Sequence, residues 1–199
     1  MKKILSLLSL CAVVVLLSFT SLNNKKLIVI DAGHGGVDHG AKVDELYEKD
    51  VVEQISKKIF EKHDPSKVEI VLLRDTDNNI ELTDRIKRIN ELNPDLVVSL
   101  HANFNSSNKN QSGIEAYVSE NNSHHQQSTE EARKLLEAVS NENLKSRGVK
   151  QANFLILRKS NCPIVLLELG FLSDENDRNY LTSEAGQNEI ATNILKSIQ

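Results

Sequence analysis

Six short apolar runs punctuate the chain: Leu27–Ile30, Val68–Leu73, Leu96–Leu100, Ile114–Val118, Phe154–Leu157 and Ile164–Leu169. Several are unbroken aliphatic stretches rather than alternating ones, as expected of strands covered on both faces. Elsewhere the apolar residues recur at helical spacing. Glu48 to Lys62 carries Val51, Val52, Ile55 and Ile59, and Glu81 to Leu92 carries Leu82, Ile86 and Ile89. A third helix is expected to open at the capping box Ser128-x-x-Glu131 and to bury Ala132, Leu135, Leu136 and Val139. The last runs from about Glu184 to Ile198 on Ile190, Ile194 and Ile198. Strand and helix alternating in this way predict an α/β fold, with a mostly parallel six-stranded sheet and helices on both faces. The polar stretches Asn103 to Gln111 and Glu120 to Gln127 read as surface loops, and neither resembles an interdomain linker, because the run Ile114–Val118 lies between them. No linker divides the chain, so a single domain is expected over 25–199.

The N-terminus stands outside this pattern. Met1-Lys2-Lys3 is basic, Ile4 to Phe19 is almost continuously apolar, and Ser18, Thr20 and Ser21 supply small residues. Residues 1–22 therefore read as a secretory signal peptide, or as an uncleaved anchor. Cys11 lies in that leader, and the bulky Leu10 before it suits lipidation poorly. Cys162 is the other cysteine of the chain, so the exported part has no internal disulfide to form.

The formal charge of the 199-residue chain is −4. An acidic exported domain lacks the basic face that nucleic acid requires. With no Trp and 4 % aromatic residues, it also lacks a stacking surface for bases or sugars.

Two of the apolar runs lead straight into a histidine. Leu27–Ile30 continues as Asp31-Ala32-Gly33-His34, and Leu96–Leu100 ends at His101. Ligand sites of open parallel sheets form beyond the carboxyl ends of the strands, and neutral imidazole is the commonest protein metal ligand. The glycines at 33, 35, 36 and 40 allow unusual backbone conformations around His34. Their spacing is not that of a phosphate-binding loop, and no Lys-Ser/Thr pair follows. Helical phase adds Glu48, which shares the stripe of Val52, Ile55 and Ile59 and should face the sheet; Glu53 falls off it. Glu45 competes if the helix starts earlier. Two imidazoles and a carboxylate match a catalytic zinc site with one open position. His39, His63, His124 and His125 lack such a context.

Glu168 interrupts the apolar run Pro163 to Phe171. A buried carboxylate is costly unless paired or neutralised. It suits a general acid or base near neutral pH, or it bridges to an arginine such as Arg74 or Arg158.

Together, IDAGHGGVDHGA, the segment Glu48-Lys49-Asp50-Val51, SLHAN and LLELGFLSDENDRNYL, in this order, resemble the family-3 (AmiC-type) zinc-dependent N-acetylmuramoyl-L-alanine amidases. The resemblance spans nearly all of the exported domain. It implies a twisted, mostly parallel sheet and one Zn²⁺ per chain held at His34, Glu48 and His101. It implies Glu168 as catalytic acid/base, and peptidoglycan as substrate. Departures are mild: His39 stands where proline is common, Val52 and Asp174 where asparagine is. Some family members carry an extra helix that occludes zinc until a partner displaces it. The interval from His101 to Glu168 is already filled, so no activator is expected. The competing readings are a zinc peptidase acting on stem peptides and a non-catalytic wall-binding module.

Overall fold

The computed structural model describes residues 25–199, so the expected leader lies outside the described residues. The chain runs β1 (Lys26–Ala32), β2 (Lys42–Val43), β3 (Leu46–Tyr47), α1 (Glu48–Lys62), β4 (Val68–Leu72), α2 (Leu82–Leu92) and β5 (Leu96–Asn103). It continues through β6 (Ile114–Val118), α3 (His125–Val139), β7 (Ser146–Gln151), α4 (Leu155–Lys159), β8 (Ile164–Phe171), α5 (Glu175–Thr182) and α6 (Glu184–Ile198). Six strands form one sheet in the order β4-β1-β5-β8-β6-β7. β4, β1, β5 and β8 are mutually parallel, whereas β6 pairs antiparallel with β8 and parallel with β7. β2 and β3 make a separate small hairpin that leads into α1.

Alternate residues of the same strands serve two cores. On one face Ile28, Ile30, Val98, Leu100, Val165 and Leu167 pack against α1, α3 and α6, whose stripes include Val52, Ile55, Leu135 and Ile194. On the other, Val29, Val97, Ile164 and Leu166 pack against Ile89 of α2 and Ile156 and Leu157 of α4. Full burial of each such side chain is worth roughly 1.5–3 kcal/mol, so the first face, with the longer roll of aliphatics, carries most of the stability. Among the described residues no helix is long and apolar enough to cross a membrane.

Two expectations need correction. Phe154–Leu157 is not a strand: from Leu155 it forms the short helix α4, with Ile156 and Leu157 buried against the sheet. A four-residue apolar run does not distinguish strand from buried helix. The sixth strand is instead β7, Ser-Arg-Gly-Val-Lys-Gln, an edge strand too exposed to show an apolar pattern. The third helix begins at His125, before its expected cap. The Ser128 hydroxyl accepts a hydrogen bond from the Ile164 amide at 3.0 Å, tying α3 to the start of β8.

Candidate metal centre

The ends of β1 and β5 and the first turn of α1 converge at one edge of the sheet. β1 and β5 are direct neighbours, with Ala32 opposite Leu100, so His34 and His101 leave the sheet side by side. Their rings lie 5.0 Å apart, nearly edge to face. Glu48 enters from α1, where helical phase turns it inward, and it is 5 % exposed. Its Oε1 lies 3.1 Å from His34 Nε2 and 2.9 Å from His101 Nδ1. One ligand atom from each of the three residues falls within 4.8 Å of the others. Glu48 is fixed by two backbone donors: the Ala102 amide to Oε1 at 3.0 Å and the Ala41 amide to Oε2 at 2.9 Å. Glu45 sits exposed in the turn between β2 and β3, so of the two carboxylates it is Glu48 that lies beside the imidazoles.

Two glycines make room for this cluster. A Cβ on Gly33 would stand 2.3 Å from His101 Cε1. At Gly40, which has φ +66°, it would stand 2.5 Å from Glu48 Oε2 and 2.6 Å from His34 Cδ2. His34 itself has φ +59°, a left-handed conformation costly for a residue with a side chain. Two buried arginines hold it there. Arg85 donates to the carbonyls of Ala32 (2.7 Å) and His34. Arg74 donates to those of Ala32 (3.1 Å) and Gly33 (3.1 Å). Arg85 also pairs with Asp31, whose other oxygen accepts from Ser99 of β5 at 2.8 Å. Arg74 pairs with Glu53 and donates to the Lys49 carbonyl, both in α1. The two guanidiniums therefore tie together all three elements that present the cluster.

The electrostatics are those of a cation site. Burial opposes the charged form of Glu48, but hydrogen bonds and charge from His101 and His34 outweigh it and hold the carboxyl far below its usual range. Burial likewise opposes a charged His34, yet Glu48 and Asp38 raise it to about 9. Asp38 Oδ2 lies 2.8 Å from His34 Nδ1. That contact gives the Nδ1 proton an acceptor, so that a neutral His34 would present its Nε2 lone pair toward Glu48 and His101, as where a carboxylate behind a metal-binding histidine orients it. Asp38 was missed in the sequence, although its place four residues after His34 within a glycine-rich turn was a usable signal. Arg85 was also legible in principle, as a lone cation in phase with Leu82, Ile86 and Ile89.

Glu168 lies on β8 directly across the rung from His101. It pairs with neither Arg74, which is taken by Glu53, nor Arg158. Its Oε2 is buried without a hydrogen-bond partner. Burial pushes its carboxyl up to about 7, with Glu48 and Glu115 adding to the rise and His101 opposing it. His34, Glu48, His101 and Glu168 line a groove of about 410 Å³ together with Phe104, Phe154 and Ile156. The two imidazoles are roughly a fifth exposed to it (22 % and 20 %). A second lobe of about 500 Å³, lined by Asp38, Glu81 and Leu82, borders the same two histidines.

The remaining histidines stand apart. His39 is exposed and stacks on Tyr47 at 4.3 Å. His63 caps the end of α1 against the Phe60 carbonyl. His124 and His125 start α3.

Residues 28–199 match the family model described as N-acetylmuramoyl-L-alanine amidase. The chain is 33 % identical to the uncharacterized protein YqiI of Bacillus subtilis, over 87 % of this chain and 83 % of that one. Among solved structures it is similar to the amidase AmiC2 of Nostoc punctiforme, with a TM-score of 0.80 and 33 % identity over 88 % of this chain and 96 % of that one. It is similar to an N-acetylmuramoyl-L-alanine amidase from Clostridium difficile 630 as well, with a TM-score of 0.81 and 31 % identity over 88 % and 95 % of the two chains. The shared fold, the near-complete family match and a groove built around His34, Glu48, His101 and Glu168 lead to one conclusion: the chain belongs to the N-acetylmuramoyl-L-alanine amidase family and is a peptidoglycan amidase.

Proposed function

We propose that the protein is a zinc-dependent amidase that hydrolyses the bond between the lactyl group of N-acetylmuramic acid and L-alanine of the stem peptide. His34, Glu48 and His101 would hold one Zn²⁺, and Glu168 would be the catalytic acid/base. The donor set fits the ion: two imidazoles and one carboxylate are a catalytic zinc set with room for a further ligand. The mutual attraction of these groups around Glu48 Oε1 describes a place where positive charge is stabilised. When bound, zinc supplies Lewis acidity toward the scissile carbonyl and toward water.

The chain's own residues do the rest. Asp38 keeps the Nδ1 proton of His34 in place, so that Nε2 stays available. Glu168 accepts a proton from the attacking water and delivers it to the nitrogen of L-alanine as the amide breaks. A carboxyl that ionises near 7 changes protonation state with little driving force in either direction, which suits both halves of that task. The observation that carries the reading is Glu168 itself, which lines the groove directly across the rung from His101 while its buried Oε2 has no hydrogen-bond partner. A structural carboxylate at that depth would be expected to have a cation or a donor beside it.

The test is a digest of purified peptidoglycan with and without chelator, followed by zinc add-back and mass spectrometry. Intact stem peptides and unsubstituted glycan, lost with chelator and restored by one equivalent of zinc, support the reading. Cuts within the stem peptide would replace it with a zinc peptidase, and stoichiometric zinc without cleavage with a wall-binding module.

We further propose that residues 1–22 export the catalytic domain, 25–199, to the cell envelope or beyond. Sequencing the N-terminus of the exported protein tests this. With both imidazoles open to the groove, the enzyme is expected to act without an activator protein. Inactivity of the purified zinc-loaded enzyme until a partner is added would contradict that.

A further inference from the structure

Beyond Glu168 the sheet continues through β6 to the edge strand β7, on the same face as the groove. Glu115 of β6 lies directly across the rung from Glu168 and is 1 % exposed. Its carboxylate gathers two cations, Arg147 Nε at 2.5 Å and Lys150 Nζ at 2.6 Å, both from β7, and the Tyr117 hydroxyl donates to it at 2.7 Å. Two positive charges meet one negative charge, so the cluster keeps an excess of positive charge. Both cations reach the surface, with side chains 34 % and 37 % exposed. Lys150 makes one polar contact among the described residues, which leaves two of its three donors for a ligand. The other lobe of the groove has the opposite character, with Asp38 and Glu81 on its wall.

The chemistry of amide cleavage orients the substrate along this polarity. The acid that protonates the departing nitrogen must touch that nitrogen, so the leaving peptide starts at Glu168. Its glycan-side carbonyl then lies toward His34 and His101. A peptide advances at most about 3.6 Å per residue, which places the second residue's carboxyl roughly 7 Å beyond the L-alanine nitrogen. One strand spacing is about 4.8 Å, and Glu115 draws the Lys150 ammonium back over β6, one strand from Glu168. The lengths agree. In stem peptides the residue after L-alanine carries either a free carboxylate or its carboxamide.

We propose that Lys150 and Arg147 form an anion subsite that takes the free carboxylate of the leaving peptide's second residue, and thereby select acidic over amidated stem peptides. The inference rests on the amidase reading and on Glu168 as its acid.

The test uses the zinc-loaded enzyme and two muropeptides identical except for carboxylate or carboxamide at the second residue. The wild type is expected to favour the acid by on the order of tenfold in kcat/KM, the worth of a charge-assisted hydrogen bond, mostly through KM. The double variant Lys150→Met, Arg147→Met should bring the ratio near one. Lys150→Arg retains both the charge and the hold on Glu115, and should keep the preference, which separates lost recognition from lost folding. A wild-type ratio near one, or a preference that survives the double substitution, overturns the subsite. An enzyme that cleaves neither muropeptide contradicts the amidase reading itself.

Discussion

The two faces of the sheet are built from the same strands and do opposite work. Along β1, β5 and β8 the residues facing α1 and α6 include Ile28, Ile30, Leu100, Val165 and Leu167, an aliphatic core with no polar interruption. The alternate residues begin as Val29, Val97 and Ile164, then become Asp31, Ser99, His101 and Glu168 toward the carboxyl ends. The first face pools many small burial terms, each of which tolerates modest change. The second holds a few desolvated polar groups whose value depends on partner and position. Stability is therefore concentrated on one side of a single layer, whereas the polar groups gather at the carboxyl ends on the other and are met over the sheet edge by Glu48 from α1.

Substitutions on the two faces should fail differently. His34→Ala removes one of the three proposed zinc ligands and the atom that Asp38 orients. It should abolish stoichiometric zinc binding and turnover, with little loss of helical circular dichroism. Retained zinc at one equivalent would contradict the ligand assignment. On the other face, Ile55→Ala empties a fully buried position under α1. It should cost about 2–5 kcal/mol in denaturant unfolding while the folded fraction keeps its zinc affinity. A matched loss of zinc affinity would break the division between faces.

Glu168 sharpens the comparison, because on this account its burial is kept for chemistry at the expense of stability. In the zinc-free protein its carboxyl holds its proton up to about 7, against 4.5 for the ordinary group. The unfolded chain loses that proton first, so this group's contribution to stability falls as pH rises from 4.5 to 7 and stays low above. Glu168→Gln should then stabilise the zinc-free protein at pH 8, by no more than about 3 kcal/mol, with the gain vanishing below pH 4.5. Urea titrations at pH 4 and 8 measure it, and equal destabilisation at both would contradict the burial argument.

A smaller effect is expected at Arg85. Lysine cannot reproduce a fork that serves Asp31 and the carbonyls of Ala32 and His34 together. Arg85→Lys should weaken zinc binding by about 10–100-fold, the range for loss of a second-layer partner. Competition with a chromophoric chelator far below the unfolding temperature reads this directly. Unchanged affinity in a merely less stable protein would make the arginine structural alone.

How legible each part was in the sequence follows from the same contrast. α1 occupies the expected residues 48–62, because its apolar stripe is long and strictly phased. His34, Glu48 and His101 were visible because each ends or opens a strongly patterned element. The misread parts are those without a long pattern. β7 lies at an edge, where burial imposes no alternation, and Phe154–Leu157 is too short to choose between strand and helix. Ser128 looked like a cap because it precedes an apolar stripe, but its hydroxyl is used by a strand distant in sequence. Asp38, Arg74 and Arg85 act through contacts between elements, which spacing along the chain does not encode.

The central claim, that Glu168 works beside the metal and not as one of its ligands, is tested most directly by one variant. Glu168→Gln should bind one zinc with the affinity of the parent and lose turnover on muropeptides by about 10²–10⁴-fold, the usual worth of a positioned general acid and base. A Glu168→Gln protein that cleaves at the parental rate, or that loses its zinc, contradicts the account.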